Sequence, residues 1–188
     1  MIIDKYKAIF IHIPKNAGTS IEEYFGNESV RIQPSKHADI HEIKRKFKNS
    51  YNNYKKFTII RNPYDKMVSW YFYLKRNLGE NYNVIEFNKW IKDPSKFWHI
   101  DDPISFLKPQ FDWIDETVDI IKYENLNEDL KIIQKKLNLT SKVDGGLPHL
   151  NQVTKHLKGS YKKWYTPEMV RIVNDVYEDD IKNFEFKF

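Results

Sequence analysis

The sequence predicts an α/β fold, with a mainly parallel sheet between two layers of helices. Short runs that are almost continuously apolar alternate along the chain with longer amphipathic segments, which is the pattern of successive βαβ units. The chain has 188 residues, of which 40% are hydrophobic, enough to fill the core of a single domain. We therefore expect one three-layer domain over residues 1–188, with no internal boundary.

The N-terminal part of the sequence predicts a strand followed by two helices. Residues 8–13 are apolar at almost every position, as in a buried parallel strand, and the run stops at a proline. The next segment is amphipathic, with one face formed by Ile21, Tyr24 and Phe25. A second helix is predicted for residues 39–48, because Asp39 and Glu42 have capping-box spacing ahead of an apolar stripe.

A second buried strand is predicted at residues 57–60, which end at Arg61. Asn62 is suited to the N-cap of the following helix and Pro63 to its first turn. That helix has apolar residues at helical spacing, namely Met67, Tyr71 and Leu74. A strand therefore passes directly into a helix here, as it does near the N-terminal end.

The C-terminal half continues the alternation. A third strand is predicted at residues 117–121, and the helix after it has an apolar face formed by Leu126, Leu130, Ile133 and Leu137. Thr166 and Pro167 predict the start of a last helix, whose apolar face is formed by Val173, Tyr177 and Ile181. Residues 79–113 are aromatic and irregular, which predicts an insertion or lid, and residues 141–165 are expected to form a long loop.

Composition reduces the range of possible functions before any motif is considered. The chain has 31 basic and 26 acidic residues, and the net charge of +5 suits an anionic ligand without requiring nucleic acid. It has no cysteine, which excludes disulfides, thiolate zinc sites and a thiol nucleophile, and fits a cytoplasmic location. No run approaches eighteen apolar residues, so no membrane-spanning helix is expected.

The first strand-to-helix junction predicts a binding site for phosphate or sulfate. It runs over residues 14–20 and includes Lys15, Asn16, Ala17, Gly18, Thr19 and Ser20. Such a junction collects free backbone N–H groups and the positive end of a helix dipole, and a lysine and two hydroxyls add further donors. Gly18 is expected to let the backbone approach an anion closely. The loop lacks the G-x-x-x-x-G-K-[ST] pattern of nucleotide triphosphate loops.

The second junction adds a guanidinium group and a hydroxyl. Arg61 follows a buried strand, and Ser69 lies on the helix that begins just after it. Arginine offers a rigid fork for a phosphate, and serine adds one hydrogen-bond donor. Taken singly, the two residues fit a surface charge at a strand end and an ordinary helix residue. Because α/β sheets bind ligands at the carboxyl ends of their strands, two basic junctions at such ends together favour anion binding.

Together the two junctions resemble the signatures of sulfotransferases that use 3′-phosphoadenosine 5′-phosphosulfate (PAPS), a sulfuryl donor. Residues 10–20, FIHIPKNAGTS, are similar to the HIPKTGGTS loop of the carbohydrate-type branch, and residues 61–71, RNPYDKMVSWY, to its RNPxDRxxSxY segment. Asn16 and Ala17 depart from the first pattern, and Lys66 replaces an arginine in the second. Weaker likeness in two later stretches extends the resemblance over nearly the whole chain.

The resemblance implies a sulfotransferase fold with a P-loop-like nucleotide site, in which PAPS is the donor. No metal is expected to be required, because no cluster of Asp, Glu and His has the spacing of metal ligands. We expect the acceptor to be a hydroxyl or amine of a carbohydrate or small molecule, although the sequence leaves glycans, small alcohols, lipid headgroups and peptide tyrosines all open. The first loop would hold the 5′-phosphosulfate, with Lys15 catalytic and nearest the bridging oxygen. Arg61 and Ser69 would bind the 3′-phosphate, and Lys158 and Gly159 would belong to a loop that closes over the nucleotide.

A hydroxyl acceptor needs a general base, and histidine is the usual residue near neutral pH. Some carbohydrate sulfotransferases have a catalytic histidine in a comparable segment, so the resemblance favours His37. Glu22, Glu23 and His12 are alternatives, although His12 lies in an apolar strand and is expected to be structural. His37 and His41 have i, i+4 spacing, but the sequence offers no third zinc ligand, so no metal site is predicted.

Two other classes of function remain open alternatives. One is a small P-loop kinase, which the missing first glycine disfavours, and the other is a non-catalytic module that binds RNA or an anionic glycan. The kinase is also disfavoured by the lack of a metal-holding acid after a strand, and the binding module would leave the two paired junctions unexplained. Aromatic side chains that would stack on a sugar acceptor, although such residues more often belong to a core, are Trp70, Tyr71, Tyr73, Phe97, Trp98 and Trp113.

Overall fold

The structure is a computed structural model that describes residues 1–26, 36–77, 86–94, 107–138 and 160–188. The chain divides into two compact units. The first is Met1–Arg61 with Gln110–Asn151, and the second is Asn62–Pro109 with Gln152–Phe188. The single domain predicted for residues 1–188 stays a prediction.

The described elements begin and end as follows. The strands are β1 (Ile2–Ile3), β2 (Ala8–Ile11), β3 (Lys55–Ile60) and β4 (Val118–Lys122). The helices of the first unit are α1 (Gly18–Phe25), α2 (Ile40–Lys46), α3 (Lys48–Asn53) and α6 (Leu126–Lys136). Those of the second unit are α4 (Pro63–Asn77), α5 (Phe87–Trp90), α7 (Pro167–Val176) and α8 (Glu178–Phe184). Short 3₁₀ turns form at Asp4–Tyr6, Gln110–Trp113, Tyr123–Asn125 and Tyr161–Trp164.

The sheet lies in the first unit and has the strand order β1-β2-β3-β4. β2, β3 and β4 run parallel, with Phe10 opposite Phe57 and Ile59 opposite Ile121. β1 pairs antiparallel with β2. The mainly parallel α/β sheet predicted from the sequence is confirmed. β1 was not predicted, because two residues are too few to show any periodicity.

Both faces of the sheet are covered within the first unit, because successive strand side chains point to opposite sides. On one face, Phe10 and Phe57 pack with α1 and α6, which contribute Ile21, Phe25, Leu130 and Ile133. On the other face, Ile9 and Ile11 pack with α2 and α3, which contribute Ile40, Ile43 and Tyr51. Apolar residues on both sides explain why the strand sequences are continuously hydrophobic rather than alternating.

The predicted helix starts are present, with side chains that satisfy first-turn amides. The Asp39 carboxylate accepts a hydrogen bond from the Glu42 backbone N–H at 2.9 Å, and α2 begins at the next residue. In the second unit, the Asn62 side-chain oxygen accepts from the Tyr64 N–H at 3.1 Å. Thr166 caps α7 in the same way, with a proline in the first turn.

Two helix ends differ from the prediction. The helix predicted for residues 39–48 ends at Lys46, and Phe47, at φ −129° and ψ 48°, separates it from α3. The last helix is interrupted at Tyr177, at φ −115° and ψ 31°, so that α7 and α8 are separate. Tyr177 is buried, and its hydroxyl donates a hydrogen bond to the Leu107 carbonyl at 2.8 Å. A tertiary contact of this kind has no counterpart in a helical sequence pattern.

Most aromatic residues considered for sugar stacking belong to cores. Trp70 and Tyr71 are buried in the apolar cluster of the second unit, and Trp113 is buried in the first unit. Tyr73 is partly buried against the same cluster as Trp70. Phe97 and Trp98 lie outside the described residues. The described aromatic residues therefore serve mainly to fill the interior.

The predicted lid at residues 79–113 is described only in part, because residues 78–85 and 95–106 lie outside the described ranges. Within it, α5 belongs to the second unit, whereas Gln110 and Trp113 are buried in the first unit. The function of this segment as a lid or acceptor-site insertion stays a prediction. Among the residues that the structure describes, no helix combines the length and apolarity needed to cross a membrane.

The Asp39 cap gives a test of the fold. We expect Asp39→Ala to lower the free energy of unfolding by about 1 kcal/mol, because the Glu42 amide loses its acceptor. Urea denaturation followed by circular dichroism measures the change. Asp39→Asn is the matched control, since its amide oxygen still accepts the bond, and its loss should be clearly smaller. Equal losses in the two variants would contradict the assigned cap.

Candidate functional site

The loop between β2 and α1 has an unusual backbone. Lys15 and Ala17 both have left-handed conformations, with φ values of 68° and 60°. Ala17 is the N-cap residue of α1, where it supplies no side-chain cap, and its carbonyl accepts a hydrogen bond from the Ser20 N–H at 2.9 Å. The amides at the start of α1 thus lie at the positive end of a helix dipole, which is a suitable environment for an anion.

The position of the His12 ring requires glycine at residue 18, whether or not a ligand binds there. A Cβ atom at residue 18 would lie 2.0 Å from the Cδ2 and Nε2 atoms of the His12 ring. No real Cβ contact is that short, and His12 is 3% exposed, so the ring has little room to move. The sequence predicts Gly18 for close approach to an anion; the structure adds a steric reason within the protein itself.

A buried amide network joins this loop to the end of β3. The Asn16 side-chain nitrogen donates to the Ile59 carbonyl at 2.7 Å and to the Gln110 side-chain oxygen at 2.6 Å. The same Gln110 oxygen accepts from the Arg61 backbone N–H at 2.9 Å, and the Gln110 nitrogen donates to the Arg61 carbonyl at 2.8 Å. One glutamine therefore satisfies both backbone groups of Arg61 and holds the loop beside it.

The Arg61 side chain also reaches the loop. Its Nη1 atom donates a hydrogen bond to the Lys15 carbonyl at 2.9 Å, and its guanidinium carbon lies 4.3 Å from the centre of the Tyr123 ring. Both partners are uncharged, and a cation over an aromatic face is stabilised by the ring quadrupole. The arginine of the second sequence signature is therefore in direct contact with the backbone of the first.

A cluster of titratable side chains lies on the other side of Gly18. The His12 Nδ1 atom is 3.1 Å from a Glu22 carboxylate oxygen, and the Lys36 Nζ atom is 3.6 Å from the second oxygen of that carboxylate. The His37 Nδ1 atom lies 2.9 Å from the His12 carbonyl oxygen. Glu23, the other glutamate considered as a base, is exposed on α1.

Burial sets the protonation of both histidines. Loss of hydration lowers the pKa of His37 to about 3, and the nearby His12 lowers it further, while Glu22 opposes the shift. Burial also lowers the pKa of His12, against the opposing hydrogen bond from Glu22. Both imidazoles are therefore neutral at pH 7. A neutral imidazole has one nitrogen that accepts a proton, as a general base requires.

The first unit brings together most of the site residues predicted from the sequence. Lys15, Asn16, Gly18 and Arg61 all belong to it, as do Ala17, Thr19, Ser20 and His37. Ser69 is a buried residue of α4 in the second unit. Lys158 and Gly159 lie outside the described residues. The roles of all these residues in binding and catalysis stay predictions.

Two residues of the site, and one pairing between residues already considered, were missed by sequence reasoning. Gln110 was assigned only to the irregular insertion, and nothing in its local sequence marks it as buried. Tyr123 follows the carboxyl end of β4, the sheet edge at which the ligand is expected, so its position in the chain was an available signal. The pairing of His12 with Glu22 joins a strand end to a helix ten residues later, a spacing without a helical or strand period.

No metal cluster accompanies the site in the part of the chain that the structure describes. Within residues 1–26, 36–77, 86–94, 107–138 and 160–188, no group of three or more His, Cys, Asp or Glu side chains is placed to hold a metal ion. His41, which has i, i+4 spacing from His37, is exposed on α2.

The fold and the geometry of the site indicate an α/β protein that binds an anionic ligand at one edge of its sheet. Parallel strands that pass into helices at the carboxyl edge of the sheet characterise α/β proteins that bind ligands there, and the donors at this edge suit an anion. A model of the family described as "Sulfotransferase family" matches residues 1–187. The chain therefore belongs to the sulfotransferase family, which confirms the resemblance seen in the sequence.

A curated relative matches about half of the chain and adds no function. An uncharacterized protein of Archaeoglobus fulgidus is 37% identical over 101 residues, which cover 52% of this chain and 78% of that protein. No solved structure matches the chain significantly.

The contact between Gly18 and His12 gives a test by a double-mutant cycle. We expect Gly18→Ala to destabilise the protein, because the new methyl group overlaps the buried His12 ring. In a His12→Ala background the same substitution should cost much less, which gives a coupling free energy of roughly 1–3 kcal/mol. Chemical denaturation of the four proteins measures it. Additive effects would show that the two residues are not in contact.

Proposed function

We propose that the protein is a PAPS-dependent sulfotransferase that transfers a sulfuryl group to a hydroxyl or amine of a carbohydrate or small molecule. Membership of the sulfotransferase family supports sulfotransferase activity in general. The donor, the type of acceptor and the assignment of residues are the parts that we add. The proposal requires neither nucleic acid nor a metal ion, and it includes a cytoplasmic location.

The observation that carries the proposal is the hydrogen bond from Arg61 to the Lys15 carbonyl at 2.9 Å. It connects Arg61, the first residue of the second signature, to the loop of the first signature, and both belong to the first unit. The groups in and around the loop are almost all hydrogen-bond donors: backbone amides of α1, the hydroxyls of Thr19 and Ser20, and two cations. A donor set of this kind fits a ligand with several anionic groups.

PAPS, when bound, supplies an activated sulfuryl group on a 5′-phosphate and a separate 3′-phosphate. We assign the loop of residues 15–20 to the 5′ end, where the Lys15 ammonium stabilises the negative charge that develops on the leaving oxygen. Arg61 is assigned to the 3′-phosphate, with Ser69 as a second donor by resemblance. Lys158 and Gly159 are assigned to the closing loop on the same basis.

His37 is our candidate for the general base. Because its pKa is lowered to about 3, its imidazole stays neutral throughout the neutral pH range, while the same shift makes it a weaker base than an ordinary histidine. The acid limb of the rate profile that belongs to this group should therefore lie near pH 3 instead of near the ordinary histidine value of 6.5. Glu22 is less suited to the task, since its carboxylate is already engaged by His12 and Lys36.

Lys15 gives the first test of the proposal. We expect Lys15→Ala to lower kcat by at least 10²-fold with the fold intact, because no other cation in the loop replaces its charge. Turnover with labelled PAPS and a panel of sugar and small-molecule acceptors measures the loss. Lys15→Arg is the matched control, because it keeps the charge and should retain part of the activity. Near wild-type turnover in Lys15→Ala would exclude the assigned role.

Arg61 gives a second test, based on binding alone. Arg61→Ala should weaken adenosine 3′,5′-bisphosphate far more than adenosine 5′-phosphate, because each hydrogen bond to a charged group contributes about 1.5–3 kcal/mol and guanidinium can make two. Ser69→Ala should do the same more weakly. Isothermal titration calorimetry measures both affinities.

Arg61 also holds the loop backbone, so a control must separate support of the loop from recognition of the phosphate. Tyr123→Leu removes the ring beneath the guanidinium while keeping the charge. It should weaken both nucleotides to a similar extent. If Arg61→Ala also weakened both nucleotides equally, the residue would not recognise the 3′-phosphate.

A further inference from the structure

The cluster of His12, Glu22 and His37 carries an inference about how the base is held, and it rests on the proposed function only for the role of His37 in turnover. His37 lies on the short segment that precedes α2, and it half-buries its ring against His12. The ring centres are 4.4 Å apart, and the planes meet at 66° in an edge-to-face arrangement. His37 is therefore packed on the residue that also hydrogen-bonds to it.

The direction of that hydrogen bond fixes the tautomer of His37. A carbonyl oxygen only accepts hydrogen bonds, so the His37 Nδ1 atom, 2.9 Å from the His12 carbonyl, must carry the proton. In the neutral ring, the lone pair is then on Nε2. The identity of the proton-accepting nitrogen is thus set by the main chain of His12.

The His12 side chain is itself held on two sides, by Glu22 and by Gly18. A carboxylate accepts, so His12 Nδ1 donates to Glu22 at 3.1 Å, and Glu22 is anchored on α1 and also contacts Lys36. The opposite edge of the ring lies against Gly18, with no space for a Cβ atom between them. His12 is 3% exposed, so its ring is restrained by Glu22, Gly18 and His37 together.

We propose that His12 is a positioning residue that holds His37 in the Nδ1–H tautomer, and that Glu22 orients His12 for this task. In the proposed reaction, the acceptor hydroxyl gives its proton to His37 Nε2 as its oxygen bonds to sulfur, and the bond from sulfur to the nucleotide breaks. His12 and Glu22 neither gain nor lose a proton. Because Gly18 belongs to the loop assigned to the donor, the same contacts link that loop to the base.

The first experiment reads the tautomer without any substrate. Two-dimensional ¹H–¹⁵N NMR of histidine-labelled protein distinguishes Nδ1–H from Nε2–H imidazoles and neutral from charged rings. We expect His37 to be neutral and in the Nδ1–H form from about pH 8 down to about pH 5. The groups that face it are His12, Lys36 and Glu22, and burial outweighs their charges. An Nε2–H signal, or titration of His37 near the ordinary histidine value, would overturn the proposal.

The second experiment removes the support and follows the same signals. Glu22→Leu should produce a mixture of His37 tautomers and lower kcat roughly 10-fold or more, with little change in the affinity for adenosine 3′,5′-bisphosphate. Glu23→Leu is the matched control, because Glu23 is exposed on the same helix, and it should change neither the signals nor kcat. If Glu22→Leu does not fold, His12→Phe keeps an aromatic ring but loses the bond to Glu22, and it should give the same result.

The third experiment asks whether Glu22 acts through His37. His37→Ala should lower kcat by about 10²–10⁴-fold. The double variant with Glu22→Leu should lose no more than His37→Ala alone, because a positioning residue has no effect once its target is gone. Multiplied losses would overturn the positioning role.

Failure of the proposed function would give a different pattern of results. Without PAPS turnover in the wild-type protein, the activity assignment fails, while the NMR measurements on wild type and on Glu22→Leu still decide how His37 is held. Conversely, the wild-type protein could turn over PAPS while the His37 tautomer stays unaltered in Glu22→Leu. That result would support the proposed function and reject the positioning role of Glu22 and His12.

Discussion

The site depends on one requirement: buried backbone groups at the ends of parallel strands must find hydrogen-bond partners. Where β3 ends, Arg61 has left the ladder but is 4% exposed, so its N–H and carbonyl must be satisfied by side chains. Gln110 supplies both partners and accepts from Asn16 with the same oxygen. Loss of this one amide would leave several buried polar groups unpaired, each at a cost of about 1–3 kcal/mol. The amide of Gln110 therefore holds both the loop that contains Lys15 and the backbone of Arg61, whose guanidinium contacts that loop.

The sequence predicts what is local in this fold and misses what is distant. Apolar runs, Asp39 and Asn62 as caps, and the strand-to-helix junctions depend on neighbours within a few residues, and the structure contains all of them. Gln110 contacts partners 49 and 94 positions away, so no window of the sequence reveals its place. The helix break at Tyr177 is likewise not marked in the sequence, where the helical periodicity continues, and the hydroxyl of Tyr177 bonds to Leu107, 70 positions away.

The hydrogen bonds of Asn16 and Gln110 support an unusual backbone conformation in the loop between β2 and α1. Ala17 has φ 60° at a position where the sulfotransferase pattern has glycine. At this left-handed φ value, a Cβ atom costs roughly 1–2 kcal/mol. The neighbouring residue, Asn16, is buried and bonded to Ile59 and Gln110, and Ala17 itself packs against the core. Contacts on either side therefore hold a conformation that the residue would otherwise avoid. A loop held in this way is organised before any ligand arrives.

The two neutral histidines make the fold itself responsive to acid. In an unfolded chain His37 would titrate at its ordinary value of 6.5, whereas in the folded protein it does so only at about 3. Between these values the unfolded chain binds a proton that the folded chain excludes, so acidification draws the equilibrium towards unfolding. His12 acts in the same direction, because its pKa is also lowered. Acidification below the ordinary histidine value of 6.5 therefore lowers the free energy of unfolding, at pH values well above the one at which His37 is protonated in the folded protein.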